Sequence, residues 1–380
     1  MLSLICAVLA VLPAAIATSE HSHSKHHTRQ QGDASLLEEL KRGYEAEVRQ
    51  TFNARCNENN VIRRKEWGNM TPAERQDYIR ATRCLNNLPS KSHDFYAPGA
   101  QNRRDDFTVA HIANHDKVHF APWTLSFHTW FIWLYEQALR NENKTKPVLT
   151  TIFTRSSGLP YMAYEKYGYQ PLEQTPLFDG SDLSFGTNGF PQPDGCHCVD
   201  GPFADFQCHL GPIAGGHGCR PNPQENGLGF NPRCLEREFK YDYLGNLTVE
   251  NVYESITLYT DIDNFCLSFE NFPGGLHTTP HEIIGGAQSD IPGSPCDPWF
   301  WTHHCGLDRI WRMWQSLDYN DRMYALPPPE QYAAERVSRG WQPTELVTPD
   351  SWIYVSPILD GVRVGDIMST TGGPFCYIYE

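Results

Sequence analysis

Apolar residues recur at helical intervals in some stretches of the chain and lose all period in one long stretch, and this contrast lays out the molecule. Leu36, Leu37, Leu40, Tyr44 and Val48 follow Ser35 at helical spacing, which predicts a first amphipathic helix. Thr71-Pro72-Ala73-Glu74 joins an N-cap threonine, a first-turn proline and a glutamate three residues beyond the cap, so a second helix runs toward Cys84. Residues 104–118 and 124–141 read as two more helices, broken near Pro122. Asp297-Pro298 offers an N-cap and a first-position proline to a helix that carries His303, His304, Asp308 and Trp311. From Pro171 to about Arg237, Gly, Pro, Asp and Cys replace the helical period. A loop of that length within a compact domain needs staples, and Cys196, Cys198, Cys208, Cys219 and Cys234 are there to supply them. Trp352-Ile353-Tyr354-Val355 and Val362-Arg363-Val364 read as short strands.

The helical stretches also carry two clusters of histidines. The first is His111-x7-His119-x8-His128, and the second is His277-x3-His281 followed by His304. Neutral imidazole suits copper, zinc, iron and nickel, and neither cluster has the thiolate and methionine of an electron-transfer copper or the glutamate of HExxH. What remains is a pair of all-nitrogen sites with open positions, an arrangement suited to copper and dioxygen. His111 and His119 are eight residues apart, about 80° off a common helix face, so His119 is expected at a helix end where the chain can bend.

These residues resemble the tyrosinase, catechol oxidase and mollusc-type hemocyanin family. The resemblance rests on both histidine spacings and on the run Asp297-Pro298-Trp299-Phe300-Trp301-Thr302-His303-His304 with Asp308-Arg309-Ile310-Trp311 behind it, and it extends from about Arg63 to the Tyr377-Ile378-Tyr379 end. It implies a mainly α fold, with a central four-helix bundle holding a dicopper site, long disulfide-stapled loops and a few short strands. It also implies two copper ions, one on His111, His119 and His128, the other on His277, His281 and His304, with His303 and His115 outside the ligand set. Glu270 stands near where tyrosinases keep a carboxylate that orders a water and helps deprotonate phenols. Ile291, thirteen residues before His304, takes the place of the gate residue over the second copper.

The activity implied is that of a copper-dependent polyphenol oxidase, which uses O2 to oxidise o-diphenols or o-aminophenols to o-quinones. An oxidase dedicated to a secondary-metabolite intermediate is the alternative, and a non-enzymatic oxygen or copper carrier is the third reading; the absence of a shielding domain after Tyr379 argues against the carrier. Several neighbours depart from the family pattern. Thr278 stands where monophenol-hydroxylating members often have Asn, Lys117 where fungal relatives often have Cys, Phe127-His128-Thr129 for W-H-R, and Pro160-Tyr161-Met162-Ala163-Tyr164 for PYWDW. Apolar Phe120, Phe127, Phe131, Phe300 and Trp301 are expected around the ligands. Asp308 and Arg309 are expected to pair with each other. Glu282 reads equally as a base or as the end of a Thr279-Pro280-His281-Glu282 capping box.

Composition adds compartment and excludes some partners. Residues 2–17 are apolar, small and uncharged and end in Ala15-Ile16-Ala17, so 1–17 reads as a signal peptide, 18–34 as a disordered His-rich mature terminus and 35–380 as one dicopper catalytic domain. Sequons at Asn69, Asn143 and Asn246 agree with a secreted fungal glycoprotein. Of twelve cysteines, Cys6 lies in the leader and eleven remain; five disulfides are expected, with Cys56 joined to Cys84 and Cys305 left over as a buried thiol. A formal net charge of −14 argues against nucleic acid and anionic membranes and says nothing about oligomeric state; a small phenol and O2 are the partners the resemblance implies.

Overall fold

A computed structural model of the chain describes residues 34–142, 157–213 and 216–380. The leader, the His21–His27 run and Asn143 lie outside these residues. Ten helices of α type organise the described part: α1 over 34–50, α2 Pro72–Asn86, α3 Arg103–Val118, α4 Thr124–Asn141, α5 Val249–Thr257, α6 Ile262–Glu270, α7 Thr278–Ile284, α8 Trp299–Ser316, α9 Tyr319–Arg322 and α10 Ala333–Ser338. Leu37, Tyr44 and Val48 form the buried stripe of α1, while Leu36 falls outside it and is exposed. The Thr71–Glu74 capping box forms as expected, and Asn102 with Asp105 builds a second one at the start of α3. At α8 the Asp297 carboxylate accepts from the Trp299 N–H at 2.9 Å and also receives the Arg237 guanidinium at 2.8 Å.

The fold is a mainly helical bundle wrapped by loops. α4 packs along α8, α2 and α3 pack on α4, and α5 packs on α8. One hydrophobic cluster runs from Leu37 to Tyr379. Sheet structure among the described residues is limited to two-stranded pairs, including Trp352–Ile353 against Val362–Arg363 and Tyr377–Tyr379 parallel to Ile62–Arg64. No helix of the described residues is long and apolar enough to cross a membrane.

The parallel pair corrects one disulfide. Ile62 N–H donates to Cys376 O at 2.9 Å, which brings Cys376 beside Cys56, and Cys56 joins Cys376 rather than Cys84. The loop cysteines close as Cys196–Cys219, Cys198–Cys234 and Cys208–Cys296, so four bridges stand among the described residues where five were expected. Cys305 is a buried free thiol as expected, and Cys266 on α6 is a second one.

Candidate metal centre

Four helices and their ends deliver the histidines. His111 sits in the interior of α3, His119 is the C-cap of the same helix, His128 lies in the second turn of α4, His277 is the N-cap of α7, His281 follows one turn later, and His304 is in α8. The bend expected at His119 is there: its backbone is extended (φ −121°, ψ 144°) and the next residue, Phe120, has φ 45°. All six imidazoles are buried.

Hydrogen bonds fix the tautomer of four of them. His111 Nδ1 lies 2.9 Å from Pro292 O, His119 Nδ1 2.7 Å from His115 O, His128 Nδ1 2.7 Å from Thr124 O and His281 Nδ1 3.2 Å from Gln288 O. A carbonyl oxygen only accepts, so each Nδ1 carries the proton and each Nε2 keeps its lone pair. His111 Nε2 and His128 Nε2 then face each other at 3.4 Å as two acceptors, which cannot bond to one another. Nε2 of His119, His277, His281 and His304 is buried without a partner, and so is that of His303. Burial lowers the pKa of every one of the six, that of His281 to about 4, so the rings are neutral, the form that binds a metal. Lone pairs converging in a dry pocket need a cation to be satisfied, and this donor set fits copper.

Two nitrogen clusters result. Ligating atoms of His111, His119 and His128 lie within 4.8 Å of one another, as do those of His277, His281, His303 and His304. The clusters abut: His128 stacks on His304 at 4.3 Å between centroids, and His119 on His277 at 5.6 Å. His303, adjacent to His304 on the helix, is turned toward Trp299 and Tyr164. It stacks on the indole at 5.0 Å, and its Nδ1 lies 2.7 Å from the Tyr164 hydroxyl, which also reaches His303 O at 2.9 Å. Gly306 permits this approach, because a Cβ there would meet Met162 O at 2.6 Å. His115 gives its Nδ1 to Ile112 O and sets its ring edge-on to Trp341, outside the triad.

The surrounding groups match the sequence reading unevenly. Phe131 stacks on His111, Phe127 meets His128 and Phe300 meets His304 at 4.1 Å, whereas Trp301 lies flat on Tyr135 at 3.8 Å and away from the imidazoles. Glu270 Oε1 accepts from Phe120 N–H at 2.6 Å and from the Thr124 hydroxyl at 3.2 Å, and lies 3.9 Å from His277 Nδ1. Its Oε2 is buried and unpartnered, and burial pushes the carboxyl up to about 8. Glu270, Ile291, His119, His277 and His281 line one open cavity of about 730 Å³. The Thr278 hydroxyl donates to Asn271 O at 2.9 Å.

Two expectations are corrected. Asp308 and Arg309 do not pair, because neighbours on a helix point about 100° apart. Asp308 instead receives Arg312, Arg64, Thr129, Tyr377 and Tyr379, and Arg309 pairs with Glu165 at 3.1 Å. Glu282 builds no capping box: α7 starts at Thr278, the Thr279 hydroxyl has no partner, and Glu282 binds Lys240 at 2.9 Å and Ser289 at 3.2 Å. Sequence reasoning missed the Tyr164 contact, although Tyr164 ends the Pro160–Tyr164 motif, and it missed the Pro292 and Gln288 carbonyls and the 335–341 wall of the cavity, which no local pattern marks.

Comparisons with known proteins agree with this geometry. Residues 73–317 match the common central domain of tyrosinase. The chain is 33% identical over 324 residues, 77% of its length and 84% of the relative's, to the tyrosinase-like protein orsC of Emericella nidulans. It is 31% identical over 359 residues, 86% of the chain and 94% of the relative, to the N-acetyl-6-hydroxytryptophan oxidase ivoB of the same fungus. Among solved structures, a variant of the polyphenol oxidase from Thermothelomyces thermophila superposes with a TM-score of 0.80 at 29% identity, covering 90% of this chain and 97% of that one.

Proposed function

Because the chain belongs to the tyrosinase family and is a tyrosinase-type oxidase with two copper ions, we propose that it is a secreted polyphenol oxidase that converts o-diphenols to o-quinones or o-aminophenols to the corresponding o-quinone imines. The observation that carries the reading is the set of unpartnered Nε2 atoms from two histidine clusters opening on one cavity. His111, His119 and His128 would hold one copper, and His277, His281 and His304 the other. His304 is preferred over His303 because its ring is stacked against the first triad, while His303 is engaged by Trp299 and Tyr164. Bound, the copper pair supplies the redox chemistry that couples the oxidation of two catechols to the reduction of one O2 to two waters.

The chain's own residues orient the phenol, move its protons and exclude water. Glu270 faces the cavity beside His277 with one oxygen fixed and the other free, and at about 8 its pKa suits exchange of a phenolic proton near neutrality. Phe127, Phe131 and Phe300 keep the inner side of the site dry. Ile291 stands at the cavity wall and sorts substrates by bulk. With its one proton given to Asn271 O, the Thr278 hydroxyl can accept from but not donate to a water beside Glu270, a weaker hold than an Asn side chain gives, which favours catechols over monophenols. An open cavity of about 730 Å³ speaks for a substrate and against a shielded oxygen carrier. Residues 35–380 act as one catalytic domain, and the four disulfides together with the apolar 2–17 leader support export.

Oxygen uptake by the copper-loaded protein with catechol, an o-aminophenol and a matched monophenol tests the reading. Oxidation of the first two ahead of the third is expected. Comparable initial rates on the monophenol and its catechol, without a lag, would remove the diphenol preference, and no uptake with any of them would remove the oxidase.

A further inference from the structure

The cavity above the histidines is larger than a single phenol ring requires. Its volume of about 730 Å³ lies in the range of roughly 300–1,000 Å³ typical of pockets for drug-sized ligands. One wall comes from outside the matched central domain of residues 73–317 and consists of Glu335, Arg339 and Trp341. This wall is fastened to the chain turn that carries His119, because Arg336 donates to His119 O at 3.2 Å and to Phe120 O at 3.4 Å. Phe120 has φ 45°, a conformation rare for a bulky residue, and is held there by Arg336 on its carbonyl and Glu270 on its N–H.

Arg339 is the centre of the wall. Its guanidinium lies 4.0 Å from the centroid of Phe120 and 5.4 Å from that of Trp341, while its Nε donates to Glu335 at 2.7 Å. An exposed i,i+4 Arg–Glu pair alone contributes little, and it has no need of two rings. Here the rings hold the plane of the fork and Glu335 takes the Nε and Nη2 edge, so the Nη1 edge is left without a partner among the described residues. A half-used guanidinium set between two rings on the wall of an oversized cavity is placed for a planar oxygen acceptor.

We propose that Arg339 is a specificity-determining residue that hydrogen-bonds an oxygen acceptor, a carboxylate or an amide carbonyl, on the side chain of an extended phenol. The substrate class is then an o-diphenol or o-aminophenol bearing an acyl or carboxyl substituent rather than the bare ring. This rests on the oxidase reading for the reaction, but the binding subsite stands on the wall itself. Glu282, Asp290 and Glu335 also line the cavity and weigh against an anionic tail, so the two acceptors must be compared directly.

Ethylcatechol, dihydrocaffeate and dihydrocaffeamide, given to the copper-loaded full chain, make that comparison through kcat/KM. Binding of the same three is followed under argon by tryptophan fluorescence, so that affinity is read without turnover. Wild type is expected to favour one or both tailed catechols by about 10- to 100-fold, the range for a hydrogen bond to a charged group, and Arg339→Gln to bring the ratio to within about twofold in both assays. Arg339→Lys should keep a preference for the carboxylate only, since a point charge replaces the planar fork. Equal ratios in wild type and Arg339→Gln, or no preference in wild type, would overturn the subsite while leaving the oxidase intact. If none of the three is oxidised although two coppers are bound, the oxidase reading falls, and the argon binding ratios alone uphold or overturn the subsite.

Discussion

Two groups of buried polar side chains sit one turn apart on α8, and the protein completes them in opposite ways. Around Asp308 every carboxylate oxygen is in use: Oδ1 accepts from Thr129 at 2.7 Å and Arg312 at 3.1 Å, and Oδ2 from Tyr379 at 2.6 Å and Tyr377 at 2.7 Å, with Arg64 at 3.4 Å. Around His304 neither ring nitrogen has a partner, and the same holds for His277. Burial is equal at both places, so burial does not separate them; satisfaction does. A buried polar group with its bonds met holds the fold together, and a convergent set without partners is waiting for a ligand.

Breaking the unsatisfied group should cost chemistry and spare the fold. His119→Ala or His304→Ala is expected to lower oxidation by roughly 10³-fold or more, with yield of folded protein and far-ultraviolet circular dichroism retained, because the disulfides and the helical core do not depend on the metal. Breaking the satisfied group should do the reverse. Asp308→Ala leaves Arg312 and Arg64 facing an empty place in a dry interior, and a loss of about 3–5 kcal/mol is expected in denaturant unfolding. Copper binding in whatever protein remains folded should be kept. A stable Asp308→Ala, or an unfolded His304→Ala, would erase the distinction between the two groups.

Acid should separate them further. Burial alone would raise the carboxyls of Asp308 and Glu136, but Arg312 and Arg64 with the two tyrosine hydroxyls outweigh it at Asp308, and Arg64 with Arg140 does so at Glu136, so both lie below their ordinary values. The stability they contribute is therefore complete above the unfolded carboxylate pKa of about 4 and is lost as pH falls through the lower, folded values. Denaturant midpoints should be insensitive to these groups above about pH 5 and drop below about pH 4. Asp308→Asn should flatten that drop. A smaller effect is expected at the cavity wall: Ile291→Phe should disfavour bulky catechols and Ile291→Gly favour them, by roughly 10- to 200-fold in relative kcat/KM at most. Unchanged ratios in both variants would place Ile291 away from the substrate path.

What could be read from the sequence follows the same division between local and distant causes. The limits of α3 and α4 were legible to within a residue, because Pro122 and the helical period are both local signals. The bend at His119 followed from eight residues of spacing alone. The partners of Asp308 were not legible, since Arg64, Tyr377 and Tyr379 reach it only after the last strand has paired with residues 62–64. The same pairing decides Cys56–Cys376 over Cys56–Cys84. Arg336, Arg339 and Trp341 carry no motif, and only tertiary packing brings them over His119.

Six imidazoles, with His304 and not His303 among them, are thus proposed to hold two metals in a site the fold leaves unsatisfied. Copper counted per folded chain by mass spectrometry after loading and dialysis tests it most directly, on wild type, His304→Ala, His303→Ala and Asp308→Asn. Two coppers are expected in wild type, His303→Ala and Asp308→Asn, and fewer than two in His304→Ala. Two coppers retained in His304→Ala with loss in His303→Ala would show that the wrong neighbour was chosen, and fewer than two in wild type would contradict the account as a whole.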